Sequence, residues 1–176
     1  SDQGGRPISP EQIKAASIFD ASKPLNHGEY FCITGGADWG GSEVTSFTVG
    51  TAVGWHRDGK FHCLGAVRPQ GIPDNERHLP LAAFFQRIAQ GRRIDAVGAD
   101  AGFVGSVQNR NLEKVSGIMT ASIAYGTKRQ FFAPVGRRDF IVDRTTLIYI
   151  TYELIKQGLL ILPKGTEFES FSQDLT

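Results

Sequence analysis

Cysteine and methionine are scarce in this sequence, with two Cys and one Met among 176 residues. Cys32 and Cys63 each sit in an apolar stretch, too few for a disulfide framework or a cysteine-based zinc site. Two reduced, buried thiols are expected, which suits a cytosolic setting. No run of about 18 consecutive apolar residues occurs, and the amino-terminal stretch lacks the apolar segment of a signal peptide. The expectation is a soluble, cytoplasmic, non-exported protein with no membrane partner. An excess of one charge is missing too: 19 Lys and Arg against 18 Asp and Glu leave a net charge of +1. A basic surface for nucleic acid must therefore come from local pairs such as Arg92-Arg93, Lys128-Arg129 and Arg137-Arg138. There is no Gly-x-x-x-x-Gly-Lys-Ser/Thr phosphate loop and no HExxH pattern. His27, His56, His62 and His78 are scattered, so histidine-led metal chemistry is not expected.

What is present fits one domain of ordinary size, 40% hydrophobic with 21 glycines. Residues 1–28 read as an arm or interdomain linker, and residues 29–176 as the folded domain. Within the arm, Ser9-Pro10-Glu11-Gln12 carries a helix-start signature, with Pro at the first helical position. The body opens with strand candidates at 30–37, 44–55 and 60–67, the last two joined by the Asp58-Gly59 turn of a hairpin. Residues 78–90 place Leu79, Leu81, Ala82, Phe85 and Ile88 at helical spacing, followed by Gly91. A buried strand at 94–100, a helix at 104–115 and a strand at 117–124 come next. Residues 125–140 show no clear period and read as a long loop or hairpin. A helix at 143–157, capped by Asp143 and ended by Gly158, leads into the apolar run 159–162, and 167–171 starts a further helix. The fold class is α/β: an antiparallel three-strand meander followed by parallel strands, one mixed sheet flanked by helices. That order is the topology of the ribonuclease-H-like fold.

Two carboxylates stand out by position. Asp38 follows the first strand of the meander, in Gly36-Ala37-Asp38-Trp39-Gly40-Gly41. Asp100 ends the fourth strand, in Val97-Gly98-Ala99-Asp100-Ala101-Gly102. Ligands of open α/β sheets bind outside the carboxyl ends of the strands. If these two strands are parallel neighbours, both acids enter one crevice and offer oxygen ligands to hard divalent cations. A single Asp next to glycines after a strand is more often a turn former or a helix cap than a ligand, and it is the pair, each at a strand end, that strengthens the metal reading.

Longer segments carry a resemblance. Gly36-Ala37-Asp38-Trp39-Gly40 with Ser46-Phe47-Thr48-Val49 resembles the opening of the nuclease domain of phage terminase large subunits. Val97-Gly98-Ala99-Asp100-Ala101-Gly102-Phe103-Val104-Gly105 is similar to that family's segment bearing its second metal-binding acid. Phe140-Ile141-Val142-Asp143-Arg144-Thr145, then Gly158 and Leu160-Ile161-Leu162-Pro163, resembles the late helix and strand. Together they span roughly residues 30–170. The resemblance implies a ribonuclease-H-like, Mg²⁺- or Mn²⁺-dependent endonuclease that cuts concatemeric double-stranded DNA by a two-metal mechanism. Asp38 and Asp100 would be the catalytic, metal-binding acids. It also implies a bacteriophage protein in the host cytoplasm, working with a terminase ATPase domain, a portal and a small terminase subunit. Little sequence preference is expected, because phosphate contacts position a duplex without reading its bases.

The family's third acid is not visible before Thr176, and the motor motif is absent, which suggests a domain excised from a longer protein. Asp174 lies too near the end to assign. Glu43 reads as a turn residue, Asp143 as a helix cap, and Asp139 and Glu153 are weak candidates for the third ligand. Arg144 would pair with an acid or face phosphate. Trp39 reads as core or rim packing rather than a base-stacking ring. Lys128, Arg129, Arg137 and Arg138 flank Phe131-Phe132 and are the expected DNA-binding residues, with a solvated hairpin as the other reading. Rival functions are a non-catalytic module that binds DNA or a packaging partner, and a Holliday-junction-resolvase-like nuclease. The Gly36–Ser42 stretch also looks like the phosphate loop of actin-like sugar kinases, which need two such domains.

Overall fold

A computed structural model describes residues 7–40, 47–102, 105–126 and 132–165. Among them the elements are α1 (Pro10–Ala16), β1 (Ser17–Phe19), β2 (Tyr30–Asp38), β3 (Val49–His56), β4 (Phe61–Val67), α2 (His78–Ala89), β5 (Ala96–Asp100), α3 (Gly105–Ser116), β6 (Thr120–Tyr125), β7 (Phe132–Pro134), β8 (Asp139–Val142), α4 (Arg144–Lys156) and β9 (Leu160–Pro163). The strands form one mixed sheet in the order β1-β9-β4-β3-β2-β5-β6-β8-β7. β2, β3 and β4 make the expected antiparallel meander. Its hairpin turns at Asp58-Gly59, where Gly59 takes the positive φ of 85° that its lack of a Cβ permits. β5, β6 and β8 then follow β2 in parallel. The mixed α/β architecture read from the sequence is therefore present.

Apolar residues cluster on both faces. On one, α2 and α3 supply Leu81, Phe84, Phe85 and Leu112, which meet Ile33, Ala52, Leu64, Val97 and Ala99 of the strands. Gly35 permits that contact: a Cβ there would fall 2.6 Å from Phe85 Cε1. A smaller cluster joins Ile13 and Ala16 of α1 and Ile155 of α4 to Cys63 and Leu162. The stretch read as an arm packs here: Ile8 is only 1% exposed, and β1 pairs with β9. Ser9 caps α1 in a capping box, its Oγ accepting from the Gln12 amide while Gln12 Oε1 accepts from the Ser9 amide. Cys32 and Cys63 are both free thiols.

One boundary differs from expectation, and the hairpin reading of 125–140 is made specific. The second strand of the meander begins at Val49, not 44, and residues 41–46 lie outside the described residues. The stretch 125–140 contains β7 and β8, an antiparallel pair whose second strand also joins β6. Strands of three and four residues are too short to display alternation. Pro134, which cannot donate to a ladder, is tolerated because β7 is an edge. The further helix expected at 167–171 lies outside the described residues.

Candidate metal centre at the carboxyl ends of the parallel strands

β2 and β5 are parallel neighbours with Ala37 opposite Ala99, so Asp38 and Asp100, one residue on, close the two strands side by side. Each carboxylate is held by its own turn: Asp38 Oδ1 accepts from the Gly40 amide at 3.1 Å, and Asp100 Oδ1 from the Gly102 amide at 2.9 Å. The turn-forming reading of these acids is thus correct as far as one oxygen goes. Among the described residues no hydrogen bond reaches Oδ2 of either. Asp38 is exposed and Asp100 half-buried.

The neighbouring strand end shows that the acids converge. Tyr125 ends β6. Its phenol is pushed above the usual range first by burial and then by the negative charge of Asp100 and of Asp38, with the Arg144 guanidinium opposing. Arg144 opens α4 and lies 5.4 Å from the centroid of the Tyr125 ring. Four consecutive strand ends therefore bring together two carboxylates, a phenol and a guanidinium.

Behind them a buried polar knot fixes the strand ends. Asn109 of α3, 2% exposed, accepts from Trp39 Nε1 at 2.6 Å and donates to Asp100 O at 3.2 Å and Ser122 Oγ at 2.9 Å. One amide thereby ties β2, β5 and β6 together directly behind the acids. Trp39 is a core residue at 1% exposure, in keeping with the packing reading. Its carbonyl accepts from Thr48 Oγ1 at 2.5 Å and Arg77 Nη1 at 2.9 Å. Gly105 starts α3 so close to β5 that a Cβ would fall 2.2 Å from Asp100 O. Tyr125 and Asn109 were not singled out in the sequence; an Asn on a predicted helix face and a Tyr at a predicted strand end look ordinary until the sheet order is known.

The other candidates fall elsewhere. Asp143 caps α4, accepting from Thr145 N at 3.2 Å and Thr146 Oγ1 at 3.0 Å. Glu153 pairs with Lys156 at 3.3 Å. Asp139 begins β8, at the opposite end of that strand from Asp143. Arg137 and Arg138 precede β8, so they too lie at the end away from Tyr125, roughly 10 Å along the strand at about 3.3 Å per residue. Both are exposed, and Arg138 is ion-paired with Glu113. Lys128, Arg129, Glu43 and Asp174 lie outside the described residues.

At the far end of the sheet, two of the histidines read as scattered come together. His56, Asp58 and His62 place their ligating atoms within 4.8 Å of one another. The signal was available as two histidines flanking an Asp-Gly turn, which an antiparallel hairpin folds onto one face.

With this geometry in view, the fold is the ribonuclease-H-like one found in terminase nuclease domains. The chain is similar to the human cytomegalovirus terminase nuclease domain, with a TM-score of 0.62 at 11% identity over 89% of this chain and 75% of that one. It is equally similar to a Mn-soaked, inhibitor-bound form of that domain, again with a TM-score of 0.62 and 11% identity, over 96% of this chain and 87% of that one. No protein-family model matches the sequence, and no curated protein does. No described helix is long and apolar enough to cross a membrane.

Proposed function

We propose that this chain is a divalent-metal-dependent endonuclease domain that cuts double-stranded DNA during viral DNA packaging, as the bacteriophage terminase resemblance implies. The observation that carries the reading is the side-by-side placement of Asp38 and Asp100 at adjacent parallel strand ends, within a fold shared with a viral terminase nuclease domain. The donor set fits hard cations. It consists of carboxylates, each with an oxygen not engaged among the described residues, and it includes no thiolate or imidazole. Asp38 and Asp100 are the residues proposed to hold Mg²⁺ or Mn²⁺. Ions held there would supply Lewis-acid activation of a water and charge stabilisation for an in-line displacement at phosphorus.

The chain's own groups do the rest. The Gly40 and Gly102 amides hold each carboxylate in one rotamer, and Asn109 keeps the strand ends in register beneath them. Arg144 is proposed to bind a phosphate next to the cut, since it is the described cation at the acid pair. The basic turn Arg137-Arg138, with Lys128 and Arg129, is proposed to contact phosphates farther along the duplex. In packaging, the partners would be the ATPase half of a terminase, the portal and the small subunit, in the host cytoplasm.

Supercoiled plasmid incubated with the purified chain in EDTA, Mg²⁺ or Mn²⁺ tests the reading. Metal-dependent nicking that Asp38→Asn and Asp100→Asn both lose is the expected result. Nicking that persists in both variants would remove these acids from the mechanism. DNA binding without cutting by the folded chain would favour the non-catalytic module instead.

A further inference from the structure

The sheet end remote from Asp38 and Asp100 gathers a second set of metal-ligating side chains. β2 pairs antiparallel with β3, with Asp38 opposite Val49 and Tyr30 opposite His56. The two places are thus separated by the length of β2, roughly 26 Å at about 3.3 Å per residue. His56 ends β3, Asp58 sits in the turn and His62 is the second residue of β4. The Asp58 carboxylate lies between the two rings, with Oδ1 3.1 Å from His56 Nδ1 and Oδ2 3.0 Å from His62 Nε2. The rings stack with centroids 4.3 Å apart, and their side chains are 14% and 9% exposed. Gly54, opposite His62, makes room for this packing: a Cβ there would fall 2.4 Å from Tyr30 Cδ1.

Each outer ring nitrogen already has an oriented oxygen partner. His56 Nε2 is 3.1 Å from Glu29 Oε2, and His62 Nδ1 is 2.9 Å from Tyr30 Oη. Oxygen partners of this kind fix the tautomer and aim of metal-bound imidazoles. His56 has a carboxylate oxygen at both nitrogens, and its Nδ1 accepts the Asp58 backbone N–H at 3.1 Å.

We propose that His56, Asp58 and His62 form a second metal site, for a borderline transition ion such as Zn²⁺, separate from the carboxylate pair. His56 Nδ1, which would release the Asp58 backbone N–H on loading, His62 Nε2 and an Asp58 oxygen would be the three ligands, with water in the fourth position. His56 Nε2–H then donates to Glu29, and His62 Nδ1–H to Tyr30 Oη. Ligands around a tetrahedral Zn²⁺ at 2.0–2.1 Å lie roughly 3.3 Å apart, so the cluster needs only a modest tightening. Imidazole donors favour such an ion over Mg²⁺, which takes oxygen ligands and keeps its waters. The ion would pin the β3–β4 turn to the start of β2.

Co²⁺ serves as the optical probe, added to protein freed of metal by chelator. The expected result is one equivalent bound with the strong visible absorption of tetrahedral cobalt, displaced by Zn²⁺ and not by Mg²⁺. Zn²⁺ should also raise the thermal midpoint. Asp58→Asn and His62→Gln should abolish the band; Asp58 is 40% exposed in its turn, so its variant tests ligation without threatening the fold. Glu29→Gln should weaken binding about 10–100-fold, the usual cost of losing an outer partner of a metal-bound His. Asp38→Asn and Asp100→Asn should leave the band intact, which keeps this test independent of any nuclease activity. A folded protein that shows no tetrahedral band with stoichiometric Co²⁺, or a band surviving in both ligand variants, overturns the proposal.

Discussion

The two ends of β2 solve opposite electrostatic problems. At Asp38 the chain presents bare carboxylates near solvent, each tied by one backbone amide and otherwise open among the described residues. At Tyr30 it presents imidazoles already enclosed by oxygen partners on a half-buried face. The first arrangement costs little to fold because water solvates the charges, and it stays available to a hard cation that exchanges readily. The second is fully hydrogen-bonded and rigid, which suits a structural role better than turnover. Glu29 illustrates the contrast: its carboxyl is held below the usual range, chiefly by the His56 hydrogen bond. Tyr30 is pushed up to about 12 by burial and by nearby Glu29 and Asp58.

The largest expected effect separates the two ends outright. Asp38→Asn or Asp100→Asn should lower metal-dependent nicking by at least about 100-fold, since a metal clamp supplies several kcal/mol of transition-state stabilisation. Asp58→Asn should leave nicking unchanged, so equal losses in all three variants would erase the distinction. Next in size is Asn109→Ala. It strands the buried Trp39 N–H and opens a gap behind the acids, for an expected loss of about 2–4 kcal/mol in urea unfolding. A loss under about 0.5 kcal/mol would mean the knot is not what holds the strand ends.

Smaller effects sharpen the picture of the acid end. Arg144→Ala should cost about tenfold in kcat/KM, whereas Arg137→Ala should mainly reduce the salt dependence of DNA binding by about one unit of slope. The reverse pattern would move the phosphate contact to the β7–β8 turn. Tyr125 gives a purely electrostatic check by ultraviolet titration against Tyr125→Phe. Its folded pKa is raised, so its contribution to stability is present below the unfolded value of about 10. That contribution is lost as pH rises through the folded value. Asp100→Asn should lower the folded value and narrow that window; no change would place Asp100 out of reach of the phenol.

Much of the fold was legible because its local signals are strong. Ser9 and Asp143 cap the helices they were expected to cap, and Asp58-Gly59 turns the hairpin it was expected to turn. α2 was legible from its apolar spacing alone. The β7–β8 pair was legible only as a possible hairpin, and β1 not at all, because three or four residues carry no period and β1 pairs with the distant β9. Asp38 and Asp100 could be picked out as strand-end acids, yet their adjacency depends on β5 lying beside β2, a choice no local pattern encodes. Asn109 and Tyr125 were hidden for the same reason. The imidazole cluster was passed over because its ligands follow hairpin register, not the helical spacing of HExxH.

Paramagnetic broadening by Mn²⁺, followed across the backbone amides by NMR, tests the central claim most directly. At low Mn²⁺, with the imidazole cluster filled by Zn²⁺, the Gly40 and Gly102 amides should broaden first. Asp38→Asn and Asp100→Asn should each suppress that effect. Broadening centred elsewhere, or unchanged by both substitutions, would contradict a metal centre at the carboxyl ends of β2 and β5.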